Sequence, residues 1–169
     1  ASNLTILSNE FAGIAGDGIS IPQRANSNPP VRHTGTVIKD NTFTNCGTRS
    51  NLTHSIYCQG PDHIILGNTI QGATGGNGIS YRSSGLIADN IINISSTADA
   101  NACGIKYFGD HKVGQTKTLI VSNNQITATN SALRYAFEFN FNDGGIYRAG
   151  ELDPDWYPNT LKVEGNTVS

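Results

Sequence analysis

A six-residue motif recurs along the whole chain. It consists of an apolar residue, two further residues, an asparagine, one residue and a second apolar residue. Its six copies are Ile6…Asn9…Phe11, Ile38…Asn41…Phe43, Ile65…Asn68…Ile70, Ile87…Asn90…Ile92, Val121…Asn124…Ile126 and Val163…Asn166…Val168. Successive asparagines are 32, 27, 22, 34 and 42 residues apart. Repeats of this length are typical of solenoids, in which each unit buries its apolar face by stacking on its neighbours.

The spacing within the motif predicts a bend. The two apolar residues are five positions apart, an odd number, so one continuous strand would point them to opposite faces. Both reach the same interior only if the chain bends at the asparagine or at the residue before it. Asparagine tolerates the left-handed conformation that such a bend needs. Stacked units would also place the asparagines about 4.8 Å apart, where their amides can form a hydrogen-bonded ladder.

A second pattern follows each of the first five motifs. It is a short strand with alternating apolar residues, at residues 18–21, 55–58, 78–81, 104–107 and 136–139. Each coil therefore contains three strands, and the coils stack into three parallel sheets. The sequence predicts an all-β solenoid of five to six coils.

This pattern resembles the right-handed parallel β-helix of the pectate-lyase-like superfamily over the whole chain. The resemblance implies an asparagine ladder at the tightest turn and a substrate groove on the outward face of the third strands. It points to polysaccharide as the ligand, with a phage tailspike or a secreted bacterial depolymerase as the setting. A homotrimer and an extracellular location follow from the same resemblance. The fold also serves lyases, epimerases and non-catalytic stalks, so activity must be inferred from the site.

Composition narrows these classes. At 169 residues with a net charge of −2, the chain forms one domain and has no basic footprint for nucleic acid. It lacks an apolar run of the roughly 20 residues that cross a membrane. The three cysteines have no metal-ligand spacing, so we expect neither a metal nor a cofactor. Because both ends lie inside coils, we interpret residues 1–169 as a single β-helix domain cut from a longer β-helix.

The outward residues of the third strands are suited to an oligosaccharide. Tyr57 and Phe108 offer rings for stacking on sugars, and Arg82 can bind a carboxylate through two hydrogen bonds. The remaining candidates for substrate contacts on these strands are Gln59, Lys106 and Asn140. In the following loops they are His111 and Trp156. Three roles are open for Trp156. It can form a wall of the groove, contact a neighbouring subunit, or anchor its own loop against the β-helix.

Glu138 is the candidate catalytic carboxylate, with Asp110 or Asp143 as its partner. Two carboxyl groups about 5 Å apart are typical of a retaining glycosidase, and about 6.5–9.5 Å of an inverting one. Lys106 lies one rung from Glu138, and such a pair also fits a purely structural ion pair.

Two alternatives remain open. A uronate lyase or epimerase would use Arg82 to neutralise a carboxylate and Lys106 or His111 as the base. His111 would titrate in the right range without any shift of its pKa. A non-catalytic adhesin or stalk would use the same surface for binding or for spacing alone.

Overall fold

The computed structural model describes residues 3–22, 33–97, 102–108, 118–129, 132–140 and 160–169. These residues form short β-strands and contain no helix. The strands are β1 (Thr5–Leu7), β2 (Glu10–Ala12), β3 (Ile19–Ile21), β4 (Val37–Lys39), β5 (Thr42–Thr44), β6 (Ile56–Cys58), β7 (His63–Leu66), β8 (Thr69–Thr74), β9 (Ile79–Tyr81), β10 (Gly85–Ala88), β11 (Ile91–Thr97), β12 (Cys103–Phe108), β13 (Thr118–Ser122), β14 (Gln125–Ala128), β15 (Tyr135–Asn140), β16 (Thr160–Glu164) and β17 (Thr167–Val168).

The strands assemble into three sheets, and every described strand pair is parallel. The first sheet has the order β1-β4-β7-β10-β13-β16, the second β2-β5-β8-β11-β14-β17 and the third β3-β6-β9-β12-β15. Each sheet therefore takes every third strand of the chain, as expected when one coil contributes one strand to each sheet. The architecture is a parallel β-helix of about six coils, and the predicted fold is confirmed.

The inward side chains of the three sheets form one core. Those with an exposed fraction of 1% or less include Ile38, Ile65, Ile87 and Val121 in the first sheet, Phe43, Ile70, Ile92 and Ile126 in the second, and Ile56, Ile79 and Ile105 in the third. Full burial of an isoleucine contributes roughly 1.5–3 kcal/mol relative to leaving it exposed. The repeated stack of these residues is the main source of stability in a solenoid.

The asparagines form the predicted ladder through all six coils. Each of the first five donates its backbone N–H and its Nδ2 to Oδ1 of the asparagine in the next coil, over distances of 2.9–3.1 Å. The Nδ2 of Asn90 also donates to the carbonyl groups of Ile65 and Ala88, at 3.0 and 2.9 Å. The side chain of Asn90 therefore bonds backbone groups in its own coil and in the preceding coil, and the side-chain oxygen of Asn124 in the next coil.

The bend lies at the residue before each asparagine. All six of these residues have a left-handed φ between 53° and 65°, namely Ser8, Asp40, Gly67, Asp89, Asn123 and Gly165. The sequence alone also allows the bend at the asparagine itself, and the structure places it one residue earlier. At Gly67 a Cβ atom would lie 2.6 Å from Oδ1 of Asp40, so the stacking of bends favours glycine there for space as well as for φ.

Candidate functional site

The third-sheet face is the outward surface of β3, β6, β9, β12 and β15. Its strands pair in one register, which aligns Ser20 with Tyr57, Tyr57 with Ser80, Ser80 with Lys106, and Lys106 with Glu138. The predicted site residues Tyr57, Lys106 and Glu138 therefore lie in one file along this face. Ser80 is only 3% exposed, however, so its small side chain offers almost no surface to a ligand.

The second file of the third-sheet face begins where the strands end. Phe108 pairs with Asn140 at the ends of β12 and β15. Gln59 follows β6, and its backbone N–H donates to the carbonyl of Ile21 at 2.8 Å. Gln59 is largely buried, with an exposed fraction of 8%.

Arg82 links the two aromatic residues of the face. Its Cζ lies 4.7 Å from the ring centroid of Phe108 and 5.5 Å from that of Tyr57. Nζ of Lys106 lies 5.8 Å from the centroid of Phe108. These distances are in the range of cation–π contacts. The predicted stacking residues and the predicted cations therefore form one packed cluster.

Glu138 is held by two donors on one of its oxygens. Nζ of Lys106 lies 2.9 Å from Oε2, and the thiol of Cys103 donates to the same oxygen at 3.2 Å. The side chains of Lys106 and Glu138 are 20% and 25% exposed, so the ion pair is largely shielded. Within the described residues, Oε1 of Glu138 accepts no hydrogen bond. The described contacts thus fix one of the two carboxylate oxygens.

A second ladder lies at the corner that leads into the third sheet. We call Asp17, His54, Asn77 and Cys103 the corner ladder. Asp17 Oδ1 accepts the backbone N–H of His54 at 2.8 Å, His54 Nδ1 accepts that of Asn77 at 2.9 Å, and Asn77 Oδ1 accepts that of Cys103 at 2.9 Å. At Cys103 the ladder turns outward, since the thiol donates to Glu138. The corner ladder therefore connects the scaffold to the candidate carboxylate.

His54 is a residue of the site that the sequence analysis does not identify. Its ring stacks on Tyr57, with centroids 5.7 Å apart and an interplanar angle of 22°. Burial lowers the pKa of His54 to about 4; Asp17 opposes this shift, and Arg82 and Lys106 reinforce it. The sequence does contain a signal for this position. The four corner-ladder residues each precede the outward residue of their third strand by three positions.

The acid sensitivity of the fold should report on His54. An unfolded histidine titrates near 6.5, so the unfolded chain binds more protons than the folded chain as the pH falls from that value to about 4. The stability linked to the titration of His54 is therefore fully present above this range and is lost within it. For His54 alone, the loss between pH 7 and pH 5 is about 2 kcal/mol. Urea unfolding at both pH values measures this. His54→Asn should lose about 2 kcal/mol less than the wild type, and equal losses would contradict the assignment.

The structure brings five predicted site residues into contact: Tyr57, Arg82, Lys106, Phe108 and Glu138. Four other predicted residues, Asp110, His111, Asp143 and Trp156, lie outside the described residues. No group of three potential metal ligands occurs in the described ranges. The described part of the chain also contains no apolar helix of membrane-spanning length.

These observations define a parallel β-helix protein with a cationic and aromatic cluster on its third sheet. A family model described as "Protein of unknown function (DUF1565)" matches residues 1–147, which is most of the chain. The chain therefore belongs to this family, which is linked to β-helix proteins. No curated protein and no solved structure gives a significant match. The fold suggests a polysaccharide-related or adhesin-like function.

Proposed function

We propose that this protein binds a polysaccharide along the third-sheet face and hydrolyses it, with Glu138 as one of two catalytic carboxyl groups. The observation that carries the proposal is the continuous set of contacts from Tyr57 through Arg82, Phe108 and Lys106 to Glu138. Four strand spacings of about 4.8 Å give the face a length of roughly 19 Å. A linear surface of this kind suits a chain-like ligand.

The chemistry of the cluster supports carbohydrate as that ligand. Aromatic rings provide apolar surface for the C–H faces of sugars, and guanidinium and ammonium groups donate to hydroxyl or carboxylate oxygens. Arg82 contacts both rings in the free protein. We therefore expect Arg82 to share its donors with the ligand while it keeps the rings in place.

Glu138 meets two requirements of a catalytic carboxyl group in this proposal. Lys106 and Cys103 restrain Oε2, which fixes the orientation of the carboxylate. Oε1 has no partner among the described residues, and we propose that it is the oxygen that acts on the substrate. Asp110 and Asp143 are the candidates for the second carboxyl group, and the distance of either from Glu138 would decide between retention and inversion.

A non-catalytic adhesin is the second candidate function. The observation that favours it is the short Lys106–Glu138 ion pair, which occupies both charges without any ligand. The same pair disfavours a lyase that would use Lys106 as its base, because the ammonium group is already donating to a carboxylate. For either function we propose an extracellular setting, such as a tailspike or secreted depolymerase, and a homotrimeric assembly.

Binding is tested with acidic glycans (alginate, polygalacturonate and hyaluronate) and neutral glycans (dextran and curdlan) by affinity electrophoresis. We expect retardation by at least one of them, and we expect Phe108→Ala to weaken it about tenfold through loss of ring contact. Ile91→Ala is the matched control, because Ile91 is an apolar residue of the second sheet that is 40% exposed. Equal effects of the two substitutions would place binding elsewhere on the molecule.

A further inference from the structure

We propose that His54 is a specificity-determining residue of the glycan site, where its Nε2–H donates to an oxygen of a sugar bound beside Tyr57. This inference rests on the proposed function and extends the site from the outward strands to one further residue, His54. His54 enters the site from the segment before β6, not from the strand itself.

The tautomer of His54 is fixed by the fold. Its Nδ1 accepts the backbone N–H of Asn77 at 2.9 Å, so the ring proton of the neutral imidazole lies on Nε2. A Cβ atom at Gly76 would lie 2.8 Å from Nδ1 and 2.9 Å from Cε1, which shows how closely the backbone of the next coil packs against the ring. The ring is therefore oriented on one edge by the ladder and on one face by Tyr57.

Among the residues that the structure describes, this arrangement leaves the Nε2–H donor without a partner. In the described part of the chain Nε2 makes no hydrogen bond, and it is not among the polar atoms that are both sealed from solvent and unbonded. His63 provides the contrast, since its Nδ1 accepts from Thr36 at 3.0 Å and its Nε2 lies 2.9 Å from the carbonyl of Gln59. Both nitrogens of His63 serve the scaffold, whereas only one nitrogen of His54 does.

A neutral, fixed donor is suited to reading a sugar hydroxyl or ring oxygen. The low pKa of His54 keeps the ring uncharged at neutral pH, so its hydrogen bond does not depend on an anionic ligand. With Nδ1 occupied and Nε2 protonated, the ring also has no free lone pair and cannot act as a base. The geometry thus assigns His54 to recognition and not to proton transfer.

The substitution His54→Asn separates this role from the ladder. Asn77 supplies the same type of acceptor one coil further along, and Asp17 supplies one in the preceding coil. An asparagine at position 54 therefore retains an acceptor for the backbone N–H of Asn77 and removes the Nε2–H donor. Asp17→Asn is the matched control, because it changes the corner ladder in the neighbouring coil without removing a ligand donor.

The experiment measures affinity for alginate, polygalacturonate, hyaluronate, dextran and curdlan with the wild type and both variants. We expect His54→Asn to weaken the best wild-type interaction about five- to tenfold, as for one lost hydrogen bond, and Asp17→Asn to leave it unchanged. If His54→Asn binds the glycan as tightly as the wild type does, the role of His54 is overturned and the proposed function is not. Absence of binding by the wild type would overturn the proposed function and this inference together.

A nuclear magnetic resonance measurement on the wild type keeps the test decisive if His54→Asn fails to fold. Long-range ¹⁵N–¹H spectra report the imidazole tautomer directly. We expect Nδ1 of His54 to be unprotonated. When a glycan that binds the wild type is added, the Nε2–H resonance of His54 should shift, while the resonances of His63 should not change. A protonated Nδ1, or an Nε2–H signal unaffected by a glycan that binds, would contradict the proposal.

Discussion

Asn90→Ala should reduce the free energy of unfolding by about 3–4 kcal/mol, since it removes one whole step of the asparagine ladder. Asn90 is fully buried, and its Oδ1 accepts from the backbone N–H and the Nδ2 of Asn68 at 2.9 and 3.0 Å. Its Nδ2 donates to Ile65, Ala88 and Asn124 at 2.9–3.0 Å. Alanine would leave the backbone N–H of Asn68 without its acceptor, at a cost of about 1–3 kcal/mol, and would remove one hydrogen bond from each of the other groups.

Asn93→Ala is the matched control for the ladder. Asn93 lies on β11, three residues further along, and is exposed on the outer side of the second sheet. The same chemical change there should alter stability by no more than about 0.5 kcal/mol. Urea unfolding of both variants gives the comparison. Small and equal losses would show that the ladder does not stabilise the coils.

Glu138→Gln should lower the rate of polysaccharide hydrolysis about 10³-fold if Glu138 supplies acid–base catalysis. Glutamine keeps the size of the side chain and one oxygen for the donors from Lys106 and Cys103, but it cannot carry or transfer the proton. Glycan affinity should change much less than the rate, because Tyr57, Arg82 and Phe108 remain in place. The rate is followed through the release of reducing ends.

Glu164→Gln is the matched control for this carboxylate. Glu164 pairs with Lys162 at 2.6 Å in the last coil, so the change removes a similar ion pair from another sheet. Its side chain is 50% exposed, and we expect neither activity nor stability to respond strongly. Loss of activity in both variants would mean that ion pairing, and not catalysis, is what Glu138→Gln disturbs.

The architecture could be predicted from the sequence because the asparagine motif repeats a physical constraint. Every copy needs an interior amide and a left-handed residue before it, and residues such as Asp40 and Asp89 tolerate that conformation. Alternation alone would have been a weaker guide. In β7 the outward residues Ile64 and Leu66 flank the inward Ile65, so both faces of this strand are apolar. The motif, not hydropathy, identifies the inward position.

The site could be predicted only where it follows the strand register. Tyr57, Lys106 and Glu138 align as the register requires, but alternation gives Ser80 an outward position and does not predict that it is 3% exposed. His54 was missed because its role depends on a backbone N–H of the next coil, which no local pattern reveals. Residues that meet in neighbouring coils lie 20 or more positions apart in the sequence. Their contacts therefore depend on how the coils stack.

The most direct test of the central claim is to incubate the protein with the five glycans and follow reducing ends together with ultraviolet absorbance. Hydrolysis at the third-sheet face predicts new reducing ends without any rise in absorbance, and Glu138→Gln should suppress them. Elimination would instead raise both signals and would contradict the role given to Glu138. If a glycan binds but neither signal changes, catalysis is excluded for that glycan and the adhesin function is supported.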